Sequence, residues 1–114
     1  MNATSVRTWL AQEVVESLAA GPVGLYELLE ILNNSDLDMA DDEKQAVSRE
    51  VVADLLKRNL ASVCLLRWPR DDVIDGPLPL SVLDEPGSWS WLPSKLYLAL
   101  VSPTVQRGGE PQSW

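Results

Sequence analysis

The 114-residue chain contains no histidine and no phenylalanine, and its only cysteine is Cys64. Without histidine, the chain lacks the commonest general base and the commonest metal ligand in proteins. A single cysteine excludes an intramolecular disulfide and a cysteine-based metal site, and it suits a reducing compartment. Because Cys64 lies between Val63 and Leu65 in an apolar run, we interpret it as a small buried side chain.

Sequence motifs for catalysis are missing as well. No serine stands in a Gly-x-Ser-x-Gly elbow, and Gly108 and Gly109 are not part of a phosphate-binding loop. Asp84 and Glu85 are adjacent, so their carboxylates do not converge on one substrate. The acidic run that starts at Asp36 lacks the glycine and the twelfth-position glutamate of a calcium loop. We therefore expect no enzyme activity and no resident metal or cofactor.

The apolar content predicts one folded domain without a membrane span. Hydrophobic residues make up 46% of the chain, and a domain of this length buries about two-thirds of its unfolded surface. No apolar stretch approaches the length of a membrane span, and the first residues lack the pattern of a signal peptide. We expect a cytoplasmic protein with a single domain over residues 1–105 and a flexible tail over residues 106–114.

Positive charge is scarce in this chain. Asp and Glu number 17 against 9 Lys and Arg, which gives a net charge of −8. This charge repels nucleic acids and anionic membranes at long range, whereas it speeds the encounter with a basic protein. Taken alone, the acid excess has a simpler interpretation, because it keeps a small protein in solution.

Hydrophobic periodicity predicts three helices and two strands. The expected helices cover residues 5–20, 24–32 and 42–58, and the expected strands cover residues 61–68 and 96–101. Val15 is expected to widen the apolar stripe of the first helix, and Asn59 to end the third helix in the left-handed conformation. Val23 and Gly24 are extended or pair with a later strand. The expected N-caps are Thr4 or Ser5 for the first helix, Asp41 or Asp42 for the third, and Ser81 for a short helix over residues 80–85.

This order predicts an α+β fold, mainly α, with three helices before a two-stranded antiparallel hairpin that carries a long insertion. Residues 51–63 resemble the junction between the third helix and the next strand of winged-helix proteins, with Asn59 in place of the usual glycine. Residues 80–89, followed by 97–103, are similar to the expanded wing of small uncharacterised bacterial winged-helix proteins. There, a short helix ending in Trp precedes a last strand that finishes in Ser-Pro or Thr-Pro. The resemblance covers about residues 5–105 and implies a winged helix-turn-helix, a statement about fold more than function.

The resemblance raises the question of DNA binding, because many winged helices place the third helix in the major groove. On a helical wheel, the outward face of that helix carries Arg49, Glu50, Ala53, Asp54 and Lys57, with two charges of each sign. Acidic residues in the turn before the helix and in the wing oppose phosphate contacts. We expect DNA binding only as an alternative function, and the basic residues that would serve it are Arg49, Lys57, Arg67 and Arg70.

The chain has five tryptophans. Trp9 and Trp68 fall at positions that we expect to face the core. Trp89 and Trp91 are two residues apart, so in an extended segment they point the same way. Packing is the favoured interpretation of Trp89, whereas packing and an exposed interface anchor are evenly balanced for Trp91.

These observations favour an acidic winged-helix protein that acts through protein–protein interaction with a basic partner. By analogy of size, charge and fold, it resembles immunity proteins and antitoxins that neutralise a basic toxin. A homodimer stays open, and binding to membranes is not expected. The expected partner contacts are acids of the turn before the third helix, acids at the start of the wing, and one tryptophan: Asp36, Asp38, Asp41, Asp42, Glu43, Asp71, Asp72 and Trp91.

Overall fold

Residues 3–35 and 38–102, which the computed structural model describes, form three α-helices and one antiparallel sheet of four strands. The helices are α1 (Ala3–Leu18), α2 (Leu25–Asn33) and α3 (Asp41–Lys57), and the strands are β1 (Val23–Gly24), β2 (Ser62–Arg67), β3 (Asp72–Asp75) and β4 (Leu96–Val101). Three short 3₁₀ helices cover Leu80–Asp84, Pro86–Trp89 and Pro93–Lys95 in the connection from β3 to β4. The predicted tail and Asp36 lie outside the described residues. No helix in the described ranges combines the length and the apolar character needed to cross a bilayer.

The end of α3 forms as its sequence predicts. Asn59 adopts a φ of 58°, the left-handed conformation that asparagine tolerates better than most residues. Its N–H donates to the carbonyl of Leu56 at 3.1 Å, and the N–H of Leu60 donates to the carbonyl of Leu55 at 2.9 Å. This pair of bonds satisfies the last carbonyls of the helix and turns the chain towards β2.

The predicted helix starts were wrong by one to a few residues. Ala40, not an aspartate, is the N-cap of α3, and its N–H donates to Oε1 of Glu43 at 3.1 Å. α1 already begins at Ala3, so Thr4 and Ser5 lie inside that helix. Ser81 likewise lies inside the 3₁₀ helix that follows Pro79. The acids at the start of α3 still favour the helix, because negative charge complements the positive end of its dipole.

The sheet has four strands in the order β1-β4-β2-β3, so the prediction of a two-stranded hairpin was incomplete. β2 and β4 pair antiparallel as predicted, and β4 has the predicted bounds. β1 pairs with β4, with Val23 opposite Leu100. Of the two alternatives left open for Val23 and Gly24, pairing with a later strand is therefore the correct one. β3 was missed by the sequence analysis, and it pairs with β2 through a bulge between Leu65 and Leu66.

The sheet has two apolar faces. On the helix side, Val63 and Leu98 join the main core between the sheet and the helices. On the second face, Cys64, Leu66 and Ala99 are buried with no measurable exposure, and this face also contains Tyr97 and Val101. The buried position predicted for Cys64 is thereby confirmed, and burial raises the pKa of its thiol, which stays protonated.

The connection from β3 to β4 packs on the helices through Leu83 and Trp89. The indole N–H of Trp89 donates to the carbonyl of Leu83 at 2.9 Å, and both side chains are buried. The prediction of a packed Trp89 is confirmed. The prediction for Trp68 was wrong: this side chain is 49% exposed, since β2 ends at Arg67 and the chain turns away. Trp9 is partly buried against the core.

Candidate functional site

Three aromatic side chains meet on one side of the sheet, and we call Tyr26, Trp91 and Tyr97 the aromatic cluster. The ring of Trp91 lies 5.3 Å from that of Tyr26 and 4.9 Å from that of Tyr97, measured between centroids. The two tyrosine rings meet edge to face at 5.9 Å. Trp91 is 43% exposed, whereas Tyr97 is only 5% exposed. The tyrosines therefore pack beneath the tryptophan, which stays at the surface.

Carboxylates border this cluster. The hydroxyl of Tyr97 donates a hydrogen bond to Oδ1 of Asp71. Burial, followed by that bond and the charge of Asp71, raises the pKa of Tyr97 well above its ordinary value. Burial, followed by the charges of Glu27 and Glu30, raises the pKa of Tyr26. The shifts have a common electrostatic component, because both tyrosines lie in a negative field.

Local backbone features place these side chains. Gly24 precedes α2, and a Cβ atom at this position would lie 2.4 Å from Cε1 of Tyr26. A larger residue at this position would therefore require the tyrosine ring to shift. The pairing of Gly24 with Ala99 brings this helix start beside β4, which carries Tyr97. Asp71 occupies the turn between β2 and β3 with a φ of 58°, a conformation that aspartate tolerates.

The structure brings together only part of the predicted contact set. Asp71 and Trp91 both contact Tyr97 and so belong to one site. Asp72 lies next to that turn, where it pairs with Arg67 across the strands and is 3.8 Å from Nε of Arg70. Trp89 and Trp91 do not share a direction, contrary to the prediction, because a 3₁₀ helix ends at Trp89 and the segment is not a continuous strand.

Asp38, just before α3, and Asp41, Asp42 and Glu43, in its first turn, form a separate region that we call the acidic turn. All four are exposed. The turn lies near the last residue of α2, since Nζ of Lys44 donates to Oδ1 of Asn33 at 2.9 Å. Tyr26 is near the other end of α2, seven residues earlier, which corresponds to roughly 10 Å along the helix axis.

Carboxylates of the acidic turn already have partners in their own helix. Glu43 accepts the N–H of Ala40, and Asp42 accepts the N–H of Glu43 at 3.0 Å. Because they are exposed, these carboxylates still contribute to the negative field of the protein. Their local contacts, however, are those of residues that stabilise the start of a helix. Within residues 3–35 and 38–102, no group of three or more acidic or cysteine side chains is arranged to hold a metal ion.

The polar face of α3 is occupied by ion pairs. Nε and Nη2 of Arg49 donate to the two carboxylate oxygens of Asp84 at 2.7 and 3.2 Å, and this contact lowers the pKa of Asp84. Glu50 accepts a bond from Arg7 at 2.7 Å, and an i,i+4 pair joins Asp54 to Arg58 at 3.2 Å. The outward position predicted for Ala53 was wrong, since it is 7% exposed. Of the predicted DNA contacts, Lys57, Arg67 and Arg70 are exposed, whereas Arg49 is bound to the connection.

Sequence reasoning missed the two tyrosines and the glutamates of α2. A signal for Tyr97 was present, because its alternation with Leu96 and Leu98 places it on the face opposite the helices. No comparable signal pointed to Tyr26, since its contact depends on the register of β1 against β4.

Comparison of the chain with protein-family models, with curated proteins and with solved structures yields no match. An exposed indole supported by two phenol rings and bordered by carboxylates offers two attractions to a cation. The ring face attracts it through the quadrupole, and the carboxylates attract it by charge and hydrogen bonding.

Proposed function

We propose that the protein acts by binding a positively charged protein partner, with the aromatic cluster and its carboxylates as the contact surface. The observation that carries this proposal is Trp91, which is 43% exposed and packs against Tyr26 and against Tyr97, whose hydroxyl is bonded to Asp71. Tryptophan and tyrosine are enriched among residues that dominate interface energies. An arginine or lysine of the partner would stack on Trp91 and pair with Asp71.

The acidic turn serves a different part of the same function. It lies near Asn33 at the end of α2, roughly 10 Å along the helix axis from Tyr26 of the aromatic cluster, and the whole chain carries a charge of −8. Such a field raises the rate of encounter with a basic protein more than it tightens the final complex. We assign Asp38, Asp41, Asp42 and Glu43 to steering, and the aromatic cluster to affinity.

A neutraliser of the immunity or antitoxin type on a winged-helix framework is the finer form of this proposal. Its support is the small size, the acidic charge, and three helices combined with the antiparallel pairing of β2 and β4. In such a role, carboxylates occupy the place that phosphates take in a basic nuclease or other nucleic-acid-binding toxin.

DNA binding is the second candidate, and the exposure of Arg67 and Arg70 at the turn between β2 and β3 favours it. The ion pairs of α3 weigh against it. Arg49 is held by Asp84, and the connection from β3 packs on the helix that would enter the groove. Asp71 and Asp72 place negative charge beside the two arginines.

A capture experiment with matched tryptophan variants tests the proposal. Immobilised full-length protein selects binders from a lysate of the producing cell, and the affinity of the purified binder is measured by calorimetry. We expect Trp91→Ala to weaken binding by about 30-fold or more, the effect of losing an interface anchor of about 2 kcal/mol. Trp68→Ala is the control, because this tryptophan is similarly exposed, at 49%, but lies under the ammonium group of Lys95, 5.6 Å from the ring centroid.

Fluorescence anisotropy with a random-sequence DNA duplex provides the opposing arm. We expect no binding at low salt. Micromolar affinity that falls steeply with salt would favour the second candidate, because such a dependence reports phosphate contacts. Equal losses of partner affinity in the two tryptophan variants would contradict the assignment of the aromatic cluster.

A further inference from the structure

A groove of about 800 Å³ runs between α1 and α3 and shares no residue with the aromatic cluster or the acidic turn. Its apolar lining consists of Ala11, Val15, Val51, Leu55 and Leu60. Val51 and Leu55 are core residues of α3, and their edges form the floor. The groove is therefore a place where the main core reaches the surface.

Two apolar side chains at the rim of this groove are exposed. Val15 is 45% exposed and Leu60 is 44% exposed, although their neighbours Val14 and Leu55 are almost completely buried. Val15 was predicted to widen the apolar stripe of α1, and its exposure shows that this prediction was wrong. Apolar side chains that face a concave, apolar surface lose more contact with water when a partner fills it.

The charges that line the groove nearly balance. Arg7 and Arg58 stand against Glu16, Glu50 and Asp54, a sum of −1, whereas the whole chain carries −8. Four of these five form the pairs Arg7–Glu50 and Asp54–Arg58. A second copy of this acidic chain is repelled by the acidic turn and by the carboxylates around the aromatic cluster, whereas the nearly balanced charge of the groove opposes its approach little.

We propose that the groove between α1 and α3 is an interface between two copies of this chain. A two-fold interface needs a self-complementary surface, and a surface with both signs of charge beside apolar side chains meets this requirement. α1 forms one wall of the groove with Thr8, Ala11, Gln12, Val15 and Glu16, and in a two-fold pairing this wall of each copy enters the groove of the other.

The pairing brings Val15 of one copy against Leu60 of the second. It also brings Glu16 within reach of Arg58 of the second copy. Arg58 uses one N–H for Asp54 and is 62% exposed in its side chain, so its guanidinium retains donors for a second carboxylate. Because the groove and the aromatic cluster share no residue, a dimer leaves both aromatic clusters accessible to a basic partner.

Sedimentation velocity over a range of protein concentrations tests this proposal on the full chain. We expect the wild-type protein to approach twice its mass of 12.6 kDa as concentration rises. Val15→Glu places a charge against the apolar rim of the second copy, and it should raise the dimer Kd by about 30-fold or more. The control is Val73→Glu, since Val73 on β3 is 47% exposed and lies outside the groove.

A charge exchange addresses the geometry without relying on the apolar variant. Glu16→Arg and Arg58→Glu each weaken the dimer because like charges then face one another across the two-fold axis. Together in one chain they restore it, since the attraction between copies returns with reversed signs. A wild-type protein that stays monomeric at every concentration would overturn the proposal, as would equal effects of Val15→Glu and Val73→Glu or a double charge variant weaker than both single ones.

Discussion

Trp89 and Trp91 stand two residues apart but belong to different regions of the molecule. Trp89 is 5% exposed, lies in the main core beneath the helices, and donates its indole N–H to the carbonyl of Leu83. Trp91 is 43% exposed and packs on Tyr97, which belongs to the second face of the sheet. The same residue type therefore stabilises the fold in one region and presents an aromatic surface in the other.

The two tryptophans differ in the exposure of the indole itself and in the polarity of the groups around it. Around Trp89 the contacts are apolar, and its single polar atom has a backbone partner. Around Trp91 the supporting tyrosines are themselves hydrogen-bonded or electrostatically coupled to carboxylates. The second region thus combines aromatic contact area with charge, which the main core does not.

The sharpest way to break this comparison is to remove each indole in turn. We expect Trp89→Ala to lower the free energy of unfolding by about 3–5 kcal/mol, the usual cost of emptying a core site of this size. Trp91→Ala should lower it by about 1 kcal/mol, because only its exposed ring contacts with Tyr26 and Tyr97 are lost. Urea unfolding followed by circular dichroism measures both values. Similar losses would show that Trp91 is also a packing residue.

Alkaline pH acts on the region of Trp91 and not on that of Trp89, because the two tyrosines of the chain both pack against Trp91. Unfolded tyrosine loses its proton near pH 10, about the ordinary value, whereas the raised pKa of Tyr97 keeps it protonated in the folded state. Above that pH, the unfolded state binds fewer protons, so the free energy of unfolding falls by up to about 1.4 kcal/mol per pH unit for this group. The contribution is complete below about pH 9.

Urea titrations from neutral pH upward measure this slope. Tyr97→Phe should flatten it more than Tyr26→Phe, because Tyr97 is more deeply buried and is also hydrogen-bonded to Asp71. An unchanged slope in Tyr97→Phe would mean that the second region does not hold this hydroxyl in its neutral form.

The smallest effect concerns a polar atom inside the main core. Ser48 is completely buried in α3, and its Oγ has no hydrogen-bond partner in the described part of the chain. Ser48→Ala should raise the free energy of unfolding by about 1 kcal/mol, since it removes an unsatisfied hydroxyl and improves helix propensity. Ser88→Ala is the matched control with the opposite sign, because the buried hydroxyl of Ser88 donates to the carbonyl of Val82 at 2.6 Å. A loss in both variants would contradict the prediction.

Helices and the last strand were predictable because their signals are local. Val6, Leu10 and Val14 recur at helical spacing and are all buried. The alternation and the flanking residues of β4 gave its bounds. Val15 shows where prediction from helical spacing stops. It lies at the edge of the apolar stripe of α1, and its exposure depends on how α1 packs against α3, which the spacing does not give.

β3 was not predictable from its own residues. Asp72 and Asp75 disfavour a strand, and the short Val73–Ile74 pair between them carries too weak a signal. The strand exists because β2 offers a paired edge, with Arg67 opposite Asp72 and Leu65 opposite Asp75. The candidate site follows the same rule. Asp71 and Trp91 could be proposed from residue type. That both contact Tyr97 could not, because the contact between Tyr97 and Asp71 joins residues far apart in the sequence.

Both edges of the sheet are unsuited to recruiting a further strand. β1 has two residues and follows Pro22, which has no N–H to donate. β3 interrupts its own ladder at Ile74, and aspartates stand at both of its ends. Edges of this kind discourage backbone pairing with other chains and thereby discourage amyloid-like growth. A partner of the kind proposed would therefore be bound through side chains, and single substitutions could change its selectivity without any alteration of the sheet.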